Sequence, residues 1–263
     1  MVMLFCRRAL HRWLWGFWLA VLTSCSAAEC KGPAPSAADN AVVQSEQLSL
    51  PPSDKEQLDQ GRRRLALLGD SLTSGYGLAE SESYPVQLQR LLDNQGFEWD
   101  VLNAGVSGDT TQGGLERLEW VLETQPDLLV VSLGANDGLR GLALEVTEKN
   151  LTAIVAGAKS RKVPVLLTGM RMPANYGAAR NAEYEAVFER VSKAENVPLL
   201  PFLIEGVALK PEHNQPDGIH PNASGARLIA EHVFAFVSPF LGPAVAPASE
   251  VPGTPSAAGD ARP

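Results

Sequence analysis

Cysteine is almost missing from this chain of 263 residues, which contains three. All of them, Cys6, Cys25 and Cys30, lie within the first 30 residues. The rest of the chain holds no thiol, so it can form neither a disulfide nor a zinc site with cysteine ligands. Its chemistry must therefore come from other side chains.

Basic residues are also in the minority. The chain has 22 Lys and Arg residues against 30 Asp and Glu residues, which gives a formal net charge of −8 at pH 7. An acidic protein is a poor partner for the phosphate backbone of nucleic acids, so we expect no binding to DNA or RNA. The short basic run from Arg62 to Arg64 precedes an apolar segment and is typical of a solvated strand entry.

The leader contains an apolar run, residues 13–22, that is too short for a comfortable membrane span of about 20 residues. It follows the basic residues Arg7, Arg8 and Arg12 and precedes small residues. This order is typical of a secretory signal peptide, which we predict over residues 1–24. Export from the cytoplasm follows from that prediction.

The end of this leader resembles a bacterial lipobox. Leu22, Thr23 and Ser24 precede Cys25, which would become the lipidated first residue of the mature protein. We therefore expect an exported lipoprotein of a bacterium, periplasmic or anchored to the outer membrane through Cys25. The alternative is cleavage by an ordinary signal peptidase near Ala28, which would discard Cys25.

Two segments have the composition of a tether or a tail. Residues 25–61 are rich in Ala, Ser, Pro, Gln and Asp, and residues 242–263 are rich in Pro and Ala. Such segments cannot bury enough apolar surface to form a core. The folded domain is therefore predicted to span residues 62–241.

Short apolar runs alternate with helical patterns through this domain. Five runs of strand length are present: LALLG from Leu65, WDVLNAG from Trp99, LLVVSLG from Leu128, VPVLLTG from Val163 and VPLLPF from Val197. Helical patterns cover residues 85–92, 111–123, 145–159, 179–194 and 223–237. Strands that are apolar on both faces are typical of a parallel sheet covered by helices. The sequence predicts an α/β fold, a three-layer α/β/α sandwich with a five-stranded parallel sheet.

Polar residues follow the predicted strands where such sheets bind ligands, beyond their carboxyl ends. Ser71 follows the first strand, GVSGDT (residues 105–110) the second and GANDG (residues 134–138) the third. A fourth segment, QPDGIHPN (residues 215–222), precedes the last helix. Together they supply a hydroxyl, carboxylates, an imidazole and an amide, the groups that acyl transfer requires.

Comparison of the histidines identifies His220 as the candidate general base. The predicted mature chain contains the histidines His213, His220 and His232, and His232 lies well inside the last helical pattern. Asp217 precedes His220 by three residues, a spacing that lets its carboxylate orient the imidazole. The alternative is that residues 216–218 form an ordinary turn.

The other candidates also have structural explanations. Ser71 could be a loop serine, and Asn136 with Asp137 could form a turn. We interpret Asp109 and Gln112 as a helix capping box. A metal site built from His213, Asp217 and His220 is a weaker alternative, because it leaves the serine block without a role.

The motifs GDSL at residues 69–72, Gly108, GAND around Asn136 and DGIH ending at His220 occur in the order found in the SGNH, or GDSL, hydrolases. The chain resembles this family from about Leu65 to Phe240, and within it most resembles the bacterial multifunctional thioesterases, arylesterases and lysophospholipases. The resemblance implies a flavodoxin-like sheet and neither a metal nor an organic cofactor.

The resemblance also implies a role for each matching residue. Ser71 would be the nucleophile, His220 the general base and Asp217 its orienting partner. The oxyanion donors would be the backbone N–H groups of Ser71 and Gly108 and the side-chain amide of Asn136. The implied partner is a small acyl ester or thioester substrate, and we expect a monomer.

Two other functions stay open from the sequence. A carbohydrate O-acetylesterase would use the same residues on the same fold, and a non-catalytic lipoprotein would bind lipid without reaction. By resemblance, the loop over residues 138–143 would close over the acyl chain. Leu139, Leu142 and Met172 are the candidates for apolar contact, unless they pack on neighbouring helices.

Overall fold

The first strand, β1 (Arg63–Gly69), is built from an apolar run that is buried from solvent on both faces. It opens a computed structural model that describes residues 61–244. Four more strands follow: β2 (Trp99–Gly105), β3 (Leu128–Ser132), β4 (Val165–Thr168) and β5 (Leu199–Leu200). Leu and Val dominate β1, β3 and β4, as expected for strands covered on both faces.

All five strands are parallel and lie in the order β2-β1-β3-β4-β5. This is the flavodoxin-like order, which places a ligand crevice between β1 and β3, where the strand order reverses. Gly69, the last residue of β1, pairs with Gly105 on one side and Ser132 on the other. The predicted fold class is confirmed, and Ser71 lies close to this reversal.

The helices form two layers around the sheet: α1 (Ser71–Ser74), α2 (Tyr84–Asn94), α3 (Thr111–Glu116), α4 (Leu118–Glu123), α5 (Ala135–Leu139), α6 (Leu144–Ser160), α7 (Ala178–Glu195) and α8 (Ala223–Val237). In one layer α2 packs on α8, and in the other α6 packs against α3, α4 and α7. The buried faces of the helices and the strands form one continuous apolar core. That core fixes the strand ends from which the polar loops extend.

The predicted helix over residues 111–123 is interrupted at Arg117, which separates α3 from α4. The Arg117 side chain turns inward, where its Nε donates to Asp109 Oδ2 at 2.6 Å and its Nη2 donates to the Gly69 carbonyl at 2.9 Å. Gly113 and Gly114 also weaken this helix, because glycine has a low helix propensity. The interruption therefore links the loop after β2 to the end of β1.

The fifth strand is much shorter than the predicted run from Val197. Only Leu199 and Leu200 pair with β4. Pro198 and Pro201 flank them, and proline has no N–H to donate to a sheet ladder. The two prolines therefore limit β5 to two residues.

Several sequence predictions fall on residues outside the described part of the chain. These are the signal peptide, Cys25 with its lipidation, the tether up to residue 60 and all but the start of the tail. The described residues all belong to one compact unit. Within residues 61–244, no helix is both long enough and apolar enough to span a membrane.

Candidate active site

Ser71 begins α1, immediately beyond the carboxyl end of β1. Asp70 caps this short helix, because its Oδ1 accepts a hydrogen bond from the Leu72 backbone N–H at 3.0 Å. A Cβ at Gly69 would lie 1.9 Å from Thr73 Oγ1, and one at Gly105 would lie 2.3 Å from the Ser74 nitrogen. The two glycines therefore allow α1 to pack directly on the ends of β1 and β2.

Ser71, His220 and Asp217 form one chain of hydrogen bonds. His220 Nε2 lies 3.0 Å from Ser71 Oγ, and His220 Nδ1 lies 2.7 Å from Asp217 Oδ2. The His220 side chain is 16% exposed and that of Asp217 is 40% exposed. The three residues come from opposite ends of the domain sequence, yet they have the geometry of a nucleophile, a base and an orienting carboxylate.

Hydrogen bonds to its own backbone hold the loop that carries His220 in place. Asp217 Oδ1 accepts the backbone N–H groups of Ile219 and His220, both at 3.0 Å. The loop closes where the Gln215 N–H donates to the His220 carbonyl at 2.8 Å. Burial acts to raise the pKa of Asp217, but hydrogen bonds from His220 and Ile219 outweigh it, so this pKa is lowered. Asp217 is therefore held as a carboxylate.

Gly108 and Asn136 come from the loops after β2 and β3. Gly108 has a φ of 86°, which a residue with a side chain rarely adopts. The backbone N–H groups of Ser71 and Gly108 have no acceptor among the described residues. Asn136 Nδ2 donates to the Asp109 carbonyl at 2.9 Å, which fixes the amide beside the Gly108 loop.

The capping box predicted from Asp109 and Gln112 is wrong. Thr110 is the N-cap of α3, and its hydroxyl accepts the Gly113 N–H. The Asp109 carboxylate instead pairs with Arg117, and the Gln112 amide donates to Glu116. Asp109 and Gln112 have the spacing of a capping box, but the ion pair with Arg117 occupies the Asp109 carboxylate.

Asp137, for which the sequence left a turn open as an alternative, is 1% exposed and joins two of the site loops. Its Oδ2 accepts the Thr111 N–H at 2.8 Å, and its Oδ1 accepts the Thr111 hydroxyl. Thr147 and Asn150 on α6 complete this buried cluster. The cluster fixes α5, and therefore Asn136, against the start of α3.

Asp70 is a second buried carboxyl group that sequence reasoning did not single out. It is 2% exposed, and burial raises its pKa to about 6. The Leu72 N–H and the charge of His220 act in the opposite direction but are too weak to cancel the burial. A carboxyl group with a raised pKa therefore lies next to Ser71, the candidate nucleophile, in the chain.

Tyr76 forms one wall beside His220, with ring centroids 4.7 Å apart. Its ring is 53% exposed, and its carbonyl accepts the Gln215 side-chain amide at 2.7 Å. A tyrosine five residues after the candidate nucleophile carries no sequence signal for this contact, because the His220 loop is remote in the chain. Tyr76 therefore joins the first and last blocks of the site.

A cleft of about 300 Å³ opens beside Ser71 and His220. We call it the acyl cleft; its apolar wall is formed by Leu139, Met170, Met172, Phe202, Ile204, Leu209 and Ile219. Leu139 and Met172 line it as the sequence suggested, whereas Leu142 is not among the lining residues. The Asn181 side chain holds the cleft wall, because it accepts the Met172 N–H at 2.7 Å and donates to the Met172 carbonyl at 2.5 Å.

The other two histidines have partners outside this site. His213 Nδ1 contacts Ser224 Oγ at 3.0 Å, and His232 Nε2 contacts the Phe202 carbonyl at 3.2 Å. Within the described part of the chain, no group of three or more His, Cys, Asp or Glu side chains is arranged to hold a metal ion. His213 therefore does not join Asp217 and His220 in a ligand cluster.

Comparison with known proteins gives consistent matches. The Escherichia coli (strain K12) protein thioesterase 1/protease 1/lysophospholipase L1 is 41% identical over 178 residues, which are 67% of this chain and 84% of that protein. An arylesterase of Vibrio mimicus is 37% identical over 175 residues, 66% of this chain and 88% of that protein. The crystal structure of TesA superposes with a TM-score of 0.66 at 37% identity, covering 67% of this chain and 99% of that one.

The family match covers the elements that build the site, from β1 into α8. Residues 67–228 match the GDSL-like Lipase/Acylhydrolase family, and this range includes Ser71, Gly108, Asn136, Asp217 and His220. The relatives and the parallel sheet agree with that match. The chain therefore belongs to the GDSL, or SGNH, hydrolase family and is an ester-hydrolysing enzyme.

Proposed function

We propose that this enzyme cleaves acyl esters and thioesters through a covalent acyl-enzyme intermediate on Ser71. The observation that carries the proposal is the hydrogen-bonded chain from Ser71 Oγ to His220 at 3.0 Å and from His220 to Asp217 at 2.7 Å. His220 takes the serine proton as Oγ attacks the carbonyl carbon, and then gives that proton to the leaving alcohol or thiol. Water resolves the acyl-enzyme by the same route.

The negative oxygen of the tetrahedral intermediate needs donors that are already in place. We assign this role to the backbone N–H groups of Ser71 and Gly108 and to the Asn136 amide. The first two have no acceptor among the described residues, so they are free to bind the oxygen. One N–H of the Asn136 amide is held by the Asp109 carbonyl, and the second is available.

The acyl cleft supports a substrate with an apolar acyl chain. Its volume of about 300 Å³ is at the lower end of the roughly 300–1,000 Å³ range of small-molecule pockets and is larger than an acetyl group needs. An acetyl group would leave most of the apolar wall exposed to water. The cleft therefore favours acyl esters over the acetylated carbohydrates that the sequence left open.

The named activities of the relatives, thioesterase, lysophospholipase and arylesterase, share one reaction at the carbonyl carbon. We propose that an ester is the physiological substrate, because the predicted leader would export the enzyme away from the acyl-CoA of the cytoplasm. Lipidation at Cys25 would then place the enzyme at a membrane. Precursor processing that is sensitive to globomycin would support this location, and an unlipidated mature N-terminus would contradict it.

Labelling with a fluorophosphonate tests the proposed nucleophile directly. We expect mass spectrometry to map the label to Ser71 and p-nitrophenyl ester hydrolysis to disappear in Ser71→Ala. Ser160→Ala is the matched control, because Ser160 is an exposed serine at the end of α6. Hydrolysis by Ser71→Ala at the rate of the unmodified protein would show that the assignment is wrong.

A further inference from the structure

The surroundings of Ser71 differ on its two sides. The wall of the acyl cleft follows β3, β4 and β5, which lie on one side of β1 in the sheet. On the other side, beyond β2, lie Ser107, which contacts Ser74 of α1, and Gly108, whose carbonyl accepts a hydrogen bond from the Arg140 guanidinium. We call Ser74, Ser107 and Arg140 the polar rim. An apolar cleft on one side and hydrogen-bond donors on the other suit a substrate with two chemically different halves.

Arg140 is held in place by the same loop that carries Gly108. Its Nη2 donates to the Gly108 carbonyl at 2.7 Å. A guanidinium has five N–H donors, and within residues 61–244 the other four N–H groups of Arg140 have no acceptor. The exposed Arg140 guanidinium, which has unused N–H donors, therefore lies close to the Gly108 N–H, a proposed oxyanion donor.

Among residues 61–244, no carboxylate forms an ion pair with Arg140. Six of the described arginines form ion pairs with Asp or Glu: Arg62, Arg117, Arg161, Arg171, Arg190 and Arg227. The chain also has an excess of acidic residues that could have supplied a partner. Asp109, in the loop next to Gly108, is already paired with Arg117. Arg140 is therefore available to an anion that arrives with the substrate.

The hydroxyl groups of the polar rim are already hydrogen-bonded, since Ser74 Oγ donates to the Ser71 carbonyl at 3.2 Å and Ser107 Oγ donates to Ser74 Oγ. Ser107 Oγ lies 2.8 Å from Ser74 Oγ, and Ser107 is exposed. The phosphate donors of this rim are therefore the open N–H groups of Arg140, because a guanidinium binds phosphate through charge-assisted hydrogen bonds. The leaving group would meet this rim after its acyl chain enters the acyl cleft.

We propose, building on the proposed esterase function, that Arg140 binds the phosphate of a lysophospholipid headgroup and so selects phosphorylated leaving groups. In a lysophospholipid the phosphorus lies about five covalent bonds from the scissile ester oxygen, or roughly 6 Å. In acyl-CoA the nearest phosphate is more than about a dozen bonds from the thioester sulfur, or roughly 15 Å. Because Arg140 contacts the carbonyl of Gly108, whose N–H is a proposed oxyanion donor, we infer that it lies close to the scissile bond, as the shorter of these distances requires.

Two substrates with the same acyl ester separate this role from a structural one. Octanoyl lysophosphatidylcholine and monooctanoylglycerol share the scissile bond, and the second has no phosphate. We expect Arg140→Ala to lower kcat/KM for the lysophospholipid about tenfold, mainly through KM, and to change that for the monoacylglycerol less than about twofold. Added salt should shrink the preference of the unmodified enzyme, because it screens an exposed ion pair.

Arg161→Ala is the matched control, since it removes the same charge from the exposed end of α6; we expect it to leave both substrates unchanged. In Arg140→Ala, kcat/KM for octanoyl-CoA should fall no more than kcat/KM for monooctanoylglycerol. An equal fall in kcat/KM for all three substrates would mean that Arg140 only supports Gly108, which would overturn the inference. An unchanged kcat/KM for the lysophospholipid would also overturn it. In both cases, hydrolysis of monooctanoylglycerol by the unmodified enzyme would leave the esterase function standing, whereas its absence would contradict that function itself.

Discussion

The ring of Tyr76 lies 4.7 Å from the ring of His220 and is tilted by 41° against it. Together with the bond from Gln215 to the Tyr76 carbonyl, this contact limits the movement of the imidazole away from Ser71. Aromatic contacts of this kind contribute about 0.5–1.5 kcal/mol beyond the area they bury. Tyr76 is therefore a positioning residue for the proposed base.

Replacing Tyr76 tests that role. We expect Tyr76→Ala to lower kcat on p-nitrophenyl esters about three- to tenfold, because His220 would sample orientations that do not reach Ser71. Tyr76→Phe keeps the ring and should stay near the original rate. Trp120→Ala, which removes another exposed aromatic ring on α4, is the control. A normal kcat in Tyr76→Ala would assign the ring contact no catalytic consequence.

We expect Asp217→Asn to keep the conformation of the loop but to lose most of the catalytic rate. An asparagine oxygen can still accept the N–H groups of Ile219 and His220, but a neutral amide cannot stabilise the charged imidazole. We expect kcat to fall about 10³- to 10⁴-fold with little change in the thermal unfolding temperature. Steady-state kinetics and circular dichroism measure the two quantities, and a loss below about tenfold would remove Asp217 from the triad.

Asn136→Ala removes one proposed oxyanion donor. Loss of such a donor typically lowers turnover by about 10²- to 10³-fold, and we expect a loss of this size in kcat with KM nearly unchanged. Asn136→Asp keeps the side-chain shape but replaces the donor with a carboxylate oxygen, so its loss should be at least as large. Unchanged turnover in either variant would show that the oxyanion lies elsewhere.

Asp70 should make the protein less stable as the pH rises. Its folded pKa of about 6 exceeds the ordinary value of 3.8, so folding favours the protonated form. The resulting penalty is absent below about pH 4, grows between about pH 4 and 6, and is complete above that range, where it amounts to about 3 kcal/mol at most. Asp70→Asn should therefore be more stable than the unmodified protein at pH 7.5 and similar to it at pH 4.

Urea unfolding at both pH values measures this difference. Glu123→Gln, which changes an exposed carboxylate on α4, should shift the free energy of unfolding by less than about 0.5 kcal/mol at either pH. A stabilisation of Asp70→Asn that is equal at both pH values would argue against an ionisation effect. It would point to better packing of the amide instead.

The sequence was sufficient for the parallel sheet, because the apolar runs of β1, β3 and β4 are almost wholly buried and predict strands covered on both faces. The family resemblance is likewise confirmed by the matched range, residues 67–228. Ser71 could be named because it follows a strand that ends at the ligand-binding edge of the sheet, whereas His220 was named by elimination among the histidines and Asp217 by its spacing from His220. The structure brings these three together, and their catalytic roles stay predictions.

Features that depend on remote partners were beyond the sequence. Asp109 satisfied a capping rule, but Arg117 takes its carboxylate. The burial of Asp70 and Asp137 follows from the packing of α1 and α5, which no local pattern reveals. The contact of Tyr76 with His220 likewise depends on the return of the chain through β5 and the loop after it.

The two hydrogen bonds from Asn181 to the backbone of Met172 have a structural consequence for chain-length preference. Met172 belongs to the wall of the acyl cleft, whereas Asn181 belongs to α7, which packs on α6. The width of the cleft therefore depends on how α7 packs on the rest of the domain. Divergence in acyl preference among such enzymes can arise from helix packing far from any residue that touches the substrate.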